Sequence, residues 1–270
     1  MFTEYTIMMN DNKQRLVIRI SRNSLSFSTA SSNGVEFYPY SLNSSISMAA
    51  NLREALRTVP FLTGNTFNNT LVVVDSPVLM VPVDIFRQEE QETYYSHSFP
   101  RIEGMVVLNT VLNDINSVAV FSIQKDIRTV LCDTFSNVRF APAIAPVWRH
   151  LHRRSYTGQH QKLFVYFHDR HLEIFSFQQN RFKFCNSYAT ASPNDALYYL
   201  LAAWKQLSLD AEHDELHLAG DIPERETMLE ETKKFIKRVF YIHPSGEFNR
   251  ARVTQIAGMP YDLITLFMGC

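Results

Sequence analysis

The chain has 270 residues, of which 46% are hydrophobic, and a formal net charge of −1 at pH 7. This composition is typical of a globular protein with one large domain or two modest ones. The balanced charge excludes a strong overall attraction to nucleic acid or anionic lipid. Three widely spaced cysteines, Cys132, Cys185 and Cys270, argue against a disulfide framework and a cysteine zinc site.

The N-terminal region and the most apolar stretch indicate the cellular location of the protein. Residues 1–14 carry an early acid and lack a long apolar core, so we expect no signal peptide. The stretch LVVVDSPVLMVPV is interrupted by Asp75, Pro77 and Pro82 and falls short of the ~20 apolar residues that cross a bilayer. We therefore expect a soluble cytoplasmic protein without a transmembrane segment.

Two segments of the sequence share one pattern. Residues 15–62 and 162–209 both begin with alternating apolar positions, which predict a strand with one buried face. Each then reaches a polar tetrad, at 21–24 and 168–171, and continues into two further strand-like segments. The matched apolar positions are Leu16, Ile18, Ile20, Leu25 and Phe27 in the first segment and Leu163, Val165, Phe167, Leu172 and Ile174 in the second.

A helix is predicted after the strands of each segment, because apolar residues recur there with a period of 3.6. The strand that follows also repeats, since TLVVVDSP (70–77) matches ELHLAGDIP (215–223) and both end in Asp-x-Pro. We infer a mixed α/β unit present twice, by internal duplication. The candidate helix caps are Ser45 or Ser47 in the first unit and Ser192 or Asn194 in the second.

The segment between the two units differs in character. We predict a first lobe at 1–155 with an inserted subdomain at about 84–135, and a second lobe at 156–270. The elements predicted in this segment are a polar helix around 84–97, strands near 105–112 and 117–123, a helix at 124–135, a strand at 138–141 and a helix near 144–153.

This order of elements resembles the actin-like ATPase (ribonuclease H-like) superfamily, which includes sugar kinases, heat-shock chaperones, actin and actin-like proteins of division and pilus assembly. Residues 117–151 are similar to the pilus-assembly and division branch. The whole chain is similar to an uncharacterised family of Bacteroidetes proteins assigned this fold. The resemblance implies a duplicated α/β fold of two lobes, each with a mixed five-stranded sheet and helices.

The resemblance also implies where a nucleotide would bind. Active members have glycine turns between the first two strands of each copy, where backbone N–H groups approach phosphates. This chain has Arg22–Ser24 and Asp169–His171 there, without glycine, and Asp169 alone corresponds to the acid that orders a magnesium ion. At the adenosine turn, Gly220 and Pro223 match the family, and Asp221 replaces a second glycine.

We therefore expect a degenerate member of the superfamily. It would be a pseudo-ATPase without cofactor or catalytic residues, a binding or scaffolding protein with an unknown protein partner. The alternative is an atypical ATP-binding protein or phosphotransferase that uses the interlobe cleft, with magnesium at Asp169 and the nucleotide at Gly220, Asp221 and Pro223.

A purely structural interpretation of the 220–223 turn competes with the nucleotide site. Gly220 would turn the strand, Pro223 would lie in the first helical turn, and Asp221 or the adjoining backbone would cap the helix. Glu224 and Glu226 would then lie in the same first turn, where they suit the helix dipole and oppose a phosphate. We favour this interpretation and expect no room for a ligand beside the turn.

Two further clusters have competing interpretations. Five of the nine histidines, His150, His152, His160, His168 and His171, lie close together in sequence. We favour turn and linker residues, with a metal site at His168, Asp169 and His171, and His160 as a further candidate ligand, as the alternative. The basic run WRHLHRR (148–154) is a candidate RNA contact, but we expect Trp148 and Leu151 to face inward and no binding of nucleic acid.

Overall fold

A computed structural model describes residues 15–31, 34–63, 67–100, 102–179 and 181–269. The N-terminal segment, on which the absence of a signal peptide was predicted, and Cys270 lie outside these ranges. Among the described residues, no helix is both long and apolar enough to cross a membrane.

Runs of strands and helices follow one another along the chain. The strands are β1 (Arg15–Ile20), β2 (Leu25–Ser31), β3 (Gly34–Tyr40), β4 (Asn69–Val74), β5 (Leu79–Pro82), β6 (Met105–Leu112), β7 (Ser117–Gln124), β8 (Val138–Pro142), β9 (Lys162–His168), β10 (His171–Gln178), β11 (Arg181–Ala189), β12 (Glu215–Gly220) and β13 (Arg238–Tyr241). The helices are α1 (Met48–Thr58), α2 (Pro60–Thr63), α3 (Gln91–Ser98), α4 (Lys125–Thr134), α5 (Ala145–Ser155), α6 (Pro193–Gln206), α7 (Arg225–Lys233), α8 (Pro244–Glu247) and α9 (Tyr261–Phe267).

Two five-stranded sheets form the two lobes, with the orders β3-β2-β1-β4-β8 and β11-β10-β9-β12-β13. In each, an antiparallel meander of three strands continues into two parallel strands. Corresponding strands therefore occupy corresponding places, and the predicted pair of mixed five-stranded sheets is confirmed.

The intervening segment forms a third, antiparallel sheet of order β5-β7-β6. The strands predicted near 105–112 and 117–123 are present as β6 and β7, while β5 lies in a stretch not predicted as a strand. The polar helix predicted around 84–97 is shorter, since a 3₁₀ turn at Gln88–Glu90 precedes α3.

The helix caps follow the sequence signals. Ser47 caps α1, and its side chain accepts a hydrogen bond from the Ala50 amide. Ser192 caps α6 in a capping box, in which the Asp195 carboxylate accepts from the Ser192 amide. Each side chain satisfies an amide that the first helical turn leaves without a partner.

A central hydrophobic core lies between the two large sheets. It includes Val17 and Leu71 from the first sheet, Phe164 and Tyr166 from the second, and Trp148 of α5. Separate outer cores lie under the helices that cover each sheet on its other side. Because side chains of a strand alternate between faces, the next residue of β1 on the Val17 face is Arg19, so a charged side chain enters the interlobe region.

Candidate functional site

Arg19 joins the two lobes through a buried ion pair. Its Nε lies 3.0 Å from both carboxylate oxygens of Asp262 in α9, and Nη2 lies 3.0 Å from Oδ2 of Asp169. The Tyr166 hydroxyl also donates to Asp262, at 3.0 Å. The side chains of Arg19 and Asp262 are only 3% and 2% exposed, so the pair is shielded from water.

The surroundings of Arg19 keep it charged. Burial opposes the charge, but Asp262, Tyr166 and Asp169 together outweigh burial and hold the pKa of Arg19 well above its usual value. Burial, followed by the negative charge of Asp262, raises the pKa of the Tyr166 hydroxyl well above its usual value. Tyr166 therefore stays protonated and serves as a donor to Asp262.

The turn between β1 and β2 satisfies its own amides. The amides of Asn23 and Ser24 donate to the buried Ser21 hydroxyl at 3.4 and 3.1 Å, and the Ser21 amide donates to the Ser24 carbonyl at 2.9 Å. Arg19 Nη1 donates to Ser24 Oγ at 3.0 Å. The amides of Ser21, Asn23 and Ser24 are thus already occupied within the turn.

The turn between β9 and β10 is a tight hairpin. His168 and His171 pair directly across it, so only Asp169 and Arg170 form the loop, not the whole predicted tetrad. Both loop residues have positive φ, 43° and 62°, as a type I′ turn requires. This geometry directs the Asp169 carboxylate toward Arg19 and places His168 and His171 on the same side of the sheet.

Gly220 is required by close packing at the end of β12. Its φ is +88°, and a Cβ there would lie 2.1 Å from the Phe167 carbonyl oxygen. The adjoining Asp221 amide donates to that carbonyl at 2.9 Å. Pro223 does not lie in the first turn of α7, as we predicted, because the helix begins only at Arg225. The N-cap residue is Glu224 rather than Asp221, and no side chain caps the helix. The positive φ of Glu224, 43°, keeps this residue out of the helix.

A cavity of about 290 Å³ lies between these turns and the start of α6. It is lined by residues 167–171 and 190–193 together with Asp221 and Pro223. Three of the four predicted site residues, Asp169, Asp221 and Pro223, therefore border one space, whereas Gly220 is not among its lining residues. The cavity leaves space beside Asp221 and Pro223, whereas we expected no room beside this turn.

Negative charge accumulates around this space. Burial, followed by the charges of Asp169 and Asp262, raises the pKa of Asp221 above its usual value. Asp75, which follows β4 of the first sheet, lies 3.6 Å from Nδ1 of His168. Carboxylates from both lobes, those of Asp75 and Asp169, thus lie close together.

His168 is enclosed by acids. It is 6% exposed, and Glu173 lies 3.8 Å from its Nε2, on the opposite side of the ring from Asp75. Burial disfavours the charged ring, but Asp75 and Glu173 outweigh burial and raise the pKa of His168 to about 10. The imidazole therefore sits in an environment that favours a positive charge.

The other clustered histidines are dispersed. His150 lies 2.9 Å from Glu247, His152 contacts the Gln179 carbonyl at 3.1 Å, and His160 stacks on His213. In the basic run, Trp148 and Leu151 are fully buried, as predicted. Arg149 and Arg154 pair with Asp114 and Glu247, respectively.

Sequence reasoning missed three residues of this site: Arg19, Asp75 and Asp262. Arg19 follows three apolar residues in the strand RLVIRI, and Asp262 lies among mostly apolar residues in the helix YDLITLF. A charged residue on a buried face is a signal that a partner of opposite charge lies nearby. The sequence carried both signals but not their pairing.

Two solved structures define the class of this architecture. A protein with an actin-like ATPase fold and unknown function from Bacteroides thetaiotaomicron VPI-5482 has a TM-score of 0.84 and 26% sequence identity, covering 99% of this chain and 99% of that chain. A PilM–PilN type IV pilus biogenesis complex has a TM-score of 0.54 and 10% identity, covering 96% of this chain and 98% of that chain. The fold is therefore the two-lobed actin-like ATPase fold.

The sequence also assigns the chain to a protein family. The family described as protein of unknown function (DUF3822) matches residues 4–239, and the chain belongs to it. No curated protein matches the chain.

Proposed function

We propose that this protein is a non-catalytic binding or scaffolding module of degenerate actin-like fold. The observation that carries the proposal is the position of Arg19, whose guanidinium group is buried between the lobes and bonded to Asp262 and Asp169. A phosphate group bound at Arg19 would have to disrupt its ion pairs with Asp262 and Asp169. Breaking a buried ion pair by removing one partner costs about 3–5 kcal/mol.

The two hairpin turns support the same proposal. The amides of Asn23 and Ser24 already donate to Ser21, so this turn offers a phosphate few donors. Asp169 and Asp221 add negative charge at the other side of the cleft, which repels a phosphate unless a cation intervenes. Loss of the glycine phosphate loops is accordingly part of the proposal.

Internal duplication accounts for the matched chemistry of the lobes. The Asp75 amide donates to the Ile20 carbonyl at 2.8 Å, and the Asp221 amide donates to the Phe167 carbonyl at 2.9 Å. In both lobes the acid directly follows the strand that runs parallel to the first strand. We propose that the lobes, 1–155 and 156–270, descend from one unit and that the segment at about 84–135 is an insertion.

A protein is the proposed partner. The PilM–PilN neighbour is a complex of two proteins, and it supports a binding role for the actin-like fold without transferring a partner at 10% identity. Affinity capture from native cells followed by reconstitution of the purified pair tests this part. Failure of every captured protein to bind the purified chain would contradict it.

Thermal unfolding with ATP, ADP and GTP, each with magnesium, tests the non-catalytic proposal. A ligand at 100 times its Kd stabilises the folded state by ~2.7 kcal/mol, so we expect no shift for any nucleotide. A shift that is lost in Asp169→Ala but kept in Asp133→Ala, an exposed acid on α4, would overturn the proposal.

The alternative function is an atypical nucleotide-binding protein or phosphotransferase. The cavity of about 290 Å³ favours it, because Asp169, Asp221 and Pro223 line this space together. Asp169 would hold magnesium and the Gly220–Pro223 turn would contact the base. The same thermal titration separates the two functions, since only the alternative predicts a nucleotide-dependent shift.

A further inference from the structure

The geometry points to a divalent transition-metal site between the lobes, with Asp75, His168 and Asp169 as its protein ligands. One ligand atom from each of these residues lies within 4.8 Å of the others. Asp75 follows β4 of the first sheet, whereas His168 and Asp169 end β9 of the second. A metal bound here would bridge the two lobes.

The spacing fits a metal better than a hydrogen bond. His168 Nδ1 and Asp75 Oδ2 are 3.6 Å apart, which is too long for a hydrogen bond. Two ligands bonded to one metal at about 2.1 Å lie about 3.4 Å apart at a tetrahedral angle and at most about 4.2 Å apart. The most widely separated ligand atoms therefore need to approach one another by up to about 1.4 Å to share one ion at tetrahedral angles.

His168 supplies an observation independent of the acidic residues. It is 6% exposed, and neither ring nitrogen makes a hydrogen bond. A buried imidazole without hydrogen bonds is costly unless another interaction replaces them. A metal on Nδ1 would satisfy that nitrogen directly and would replace the proton that Asp75 and Glu173 otherwise favour on the ring.

Glu173 lies beside the ring nitrogen of His168 that would not bind the metal. Its Oε1 lies 3.8 Å from His168 Nε2, on the far side of the ring from Asp75. Histidines that bind a metal through one nitrogen usually direct the other N–H to a carboxylate, which fixes the ring and raises its basicity. Glu173 faces Nε2 without a hydrogen bond in this structure and is the carboxylate that would position His168 when a metal binds.

The charge of the site and the type of its ligands indicate which metal ion would bind. Asp75, Asp169 and Asp221 contribute negative charge, and Arg19 is already shared with Asp262. Asp169 accepts from Arg19 through one oxygen, and a carboxylate retains lone pairs for a second interaction. An imidazole with two carboxylates suits Zn²⁺ or Co²⁺, whereas Mg²⁺ prefers oxygen ligands and water.

The site would be open on one side. Three protein ligands leave a coordination position for water or another small ligand. His168 and Asp169 also line the cavity of about 290 Å³. This ligation needs no nucleotide, so the site is independent of the proposed loss of ATP binding.

Titration of the metal-depleted protein with Co²⁺ at pH 8, followed by visible absorption, tests the site. We expect one Co²⁺ per chain, displacement by Zn²⁺ and no displacement by a large excess of Mg²⁺. Zn²⁺ should raise the unfolding temperature, because the ion links β4 to β9. Absence of saturable Co²⁺ and Zn²⁺ binding, or displacement by Mg²⁺, would overturn the site.

Variants assign the ligands. Asp75→Asn and His168→Gln should each weaken Co²⁺ binding at least tenfold, and Glu173→Gln should weaken it about 10-fold through His168. His160→Gln, which alters a histidine stacked on His213, is the matched control and should bind as the wild type does. Circular dichroism checks that each variant folds. Unchanged affinity in folded Asp75→Asn or folded His168→Gln would contradict the assignment.

Discussion

Arg19 and Asp262 are separated by 243 positions in the chain, and their side chains form a buried ion pair with N–O distances of 2.9–3.0 Å. Arg19 lies on the inner face of β1, and Asp262 lies in α9 near the C-terminal end of the chain. The pair therefore links the first and last parts of the described structure, and Tyr166 of β9 joins it.

Arg19→Met should destabilise the protein by about 3–5 kcal/mol, since it leaves Asp262 buried without its counter-charge. Urea denaturation measures the loss. Arg181→Met is the control, because Arg181 and Asp84 are each 64% exposed and such pairs contribute about 1 kcal/mol or less. Equal stability changes in the two variants would contradict a special role for the buried pair.

Removing both partners should cost less than the sum of the two single losses. In Arg19→Met/Asp262→Leu the buried Asp262 charge is removed as well, only the partly exposed Asp169 loses its counter-charge, and apolar replacements of buried pairs are often tolerated. We expect a coupling free energy of about 1–3 kcal/mol in a double-mutant cycle. Additive losses would show that the two side chains act independently.

Gly220→Ala should destabilise the fold by about 2–4 kcal/mol, because the new Cβ overlaps backbone and adopts an unfavourable φ. The contact is with the Phe167 carbonyl oxygen at 2.1 Å, which cannot move without disturbing β9. Gly246→Ala is the matched control, since nothing lies within 4 Å of its Cβ position. It should change the free energy of unfolding by about 1 kcal/mol or less.

The sequence predicted what depends on local periodicity. Alternating residues in RLVIRI and KLFVYFH located β1 and β9, and Ser47 and Ser192 located two helix starts. These signals are contained within a few neighbouring residues, so a single sequence reveals them. The shared succession of strands and helices along the two units followed from the same patterns.

The candidate site was less predictable because it depends on contacts between distant residues. Asp169 was identified, but its partner Arg19 lies 150 positions away. Nothing in local periodicity pairs Arg19 with Asp262 or His168 with Asp75. The start of α7 was also misplaced, because the backbone of Glu224 adopts a positive φ that the residue type does not favour.

His217 gives the protein an acid-sensitive core. The residue is buried in β12 and stacks between Phe164 and Phe240, and its Nε2 donates to Glu215 at 3.0 Å. Burial lowers the pKa of His217 to about 4, against the opposing effect of Glu215, and nearby Arg154 lowers it further. In the folded protein His217 therefore binds a proton only near pH 4, whereas in the unfolded chain it binds one near pH 6.5.

The direction in which pH changes stability follows from the difference between the pKa of His217 in the folded and unfolded states. Between pH 6.5 and about 4 the unfolded chain binds more protons at His217, so the stabilisation present above pH 6.5 is lost as the pH falls. The loss approaches about 3 kcal/mol. His217→Gln keeps a neutral donor for Glu215 and should remove this component. Urea denaturation of both proteins from pH 7 to pH 4 measures it, and parallel curves would contradict the assignment to His217.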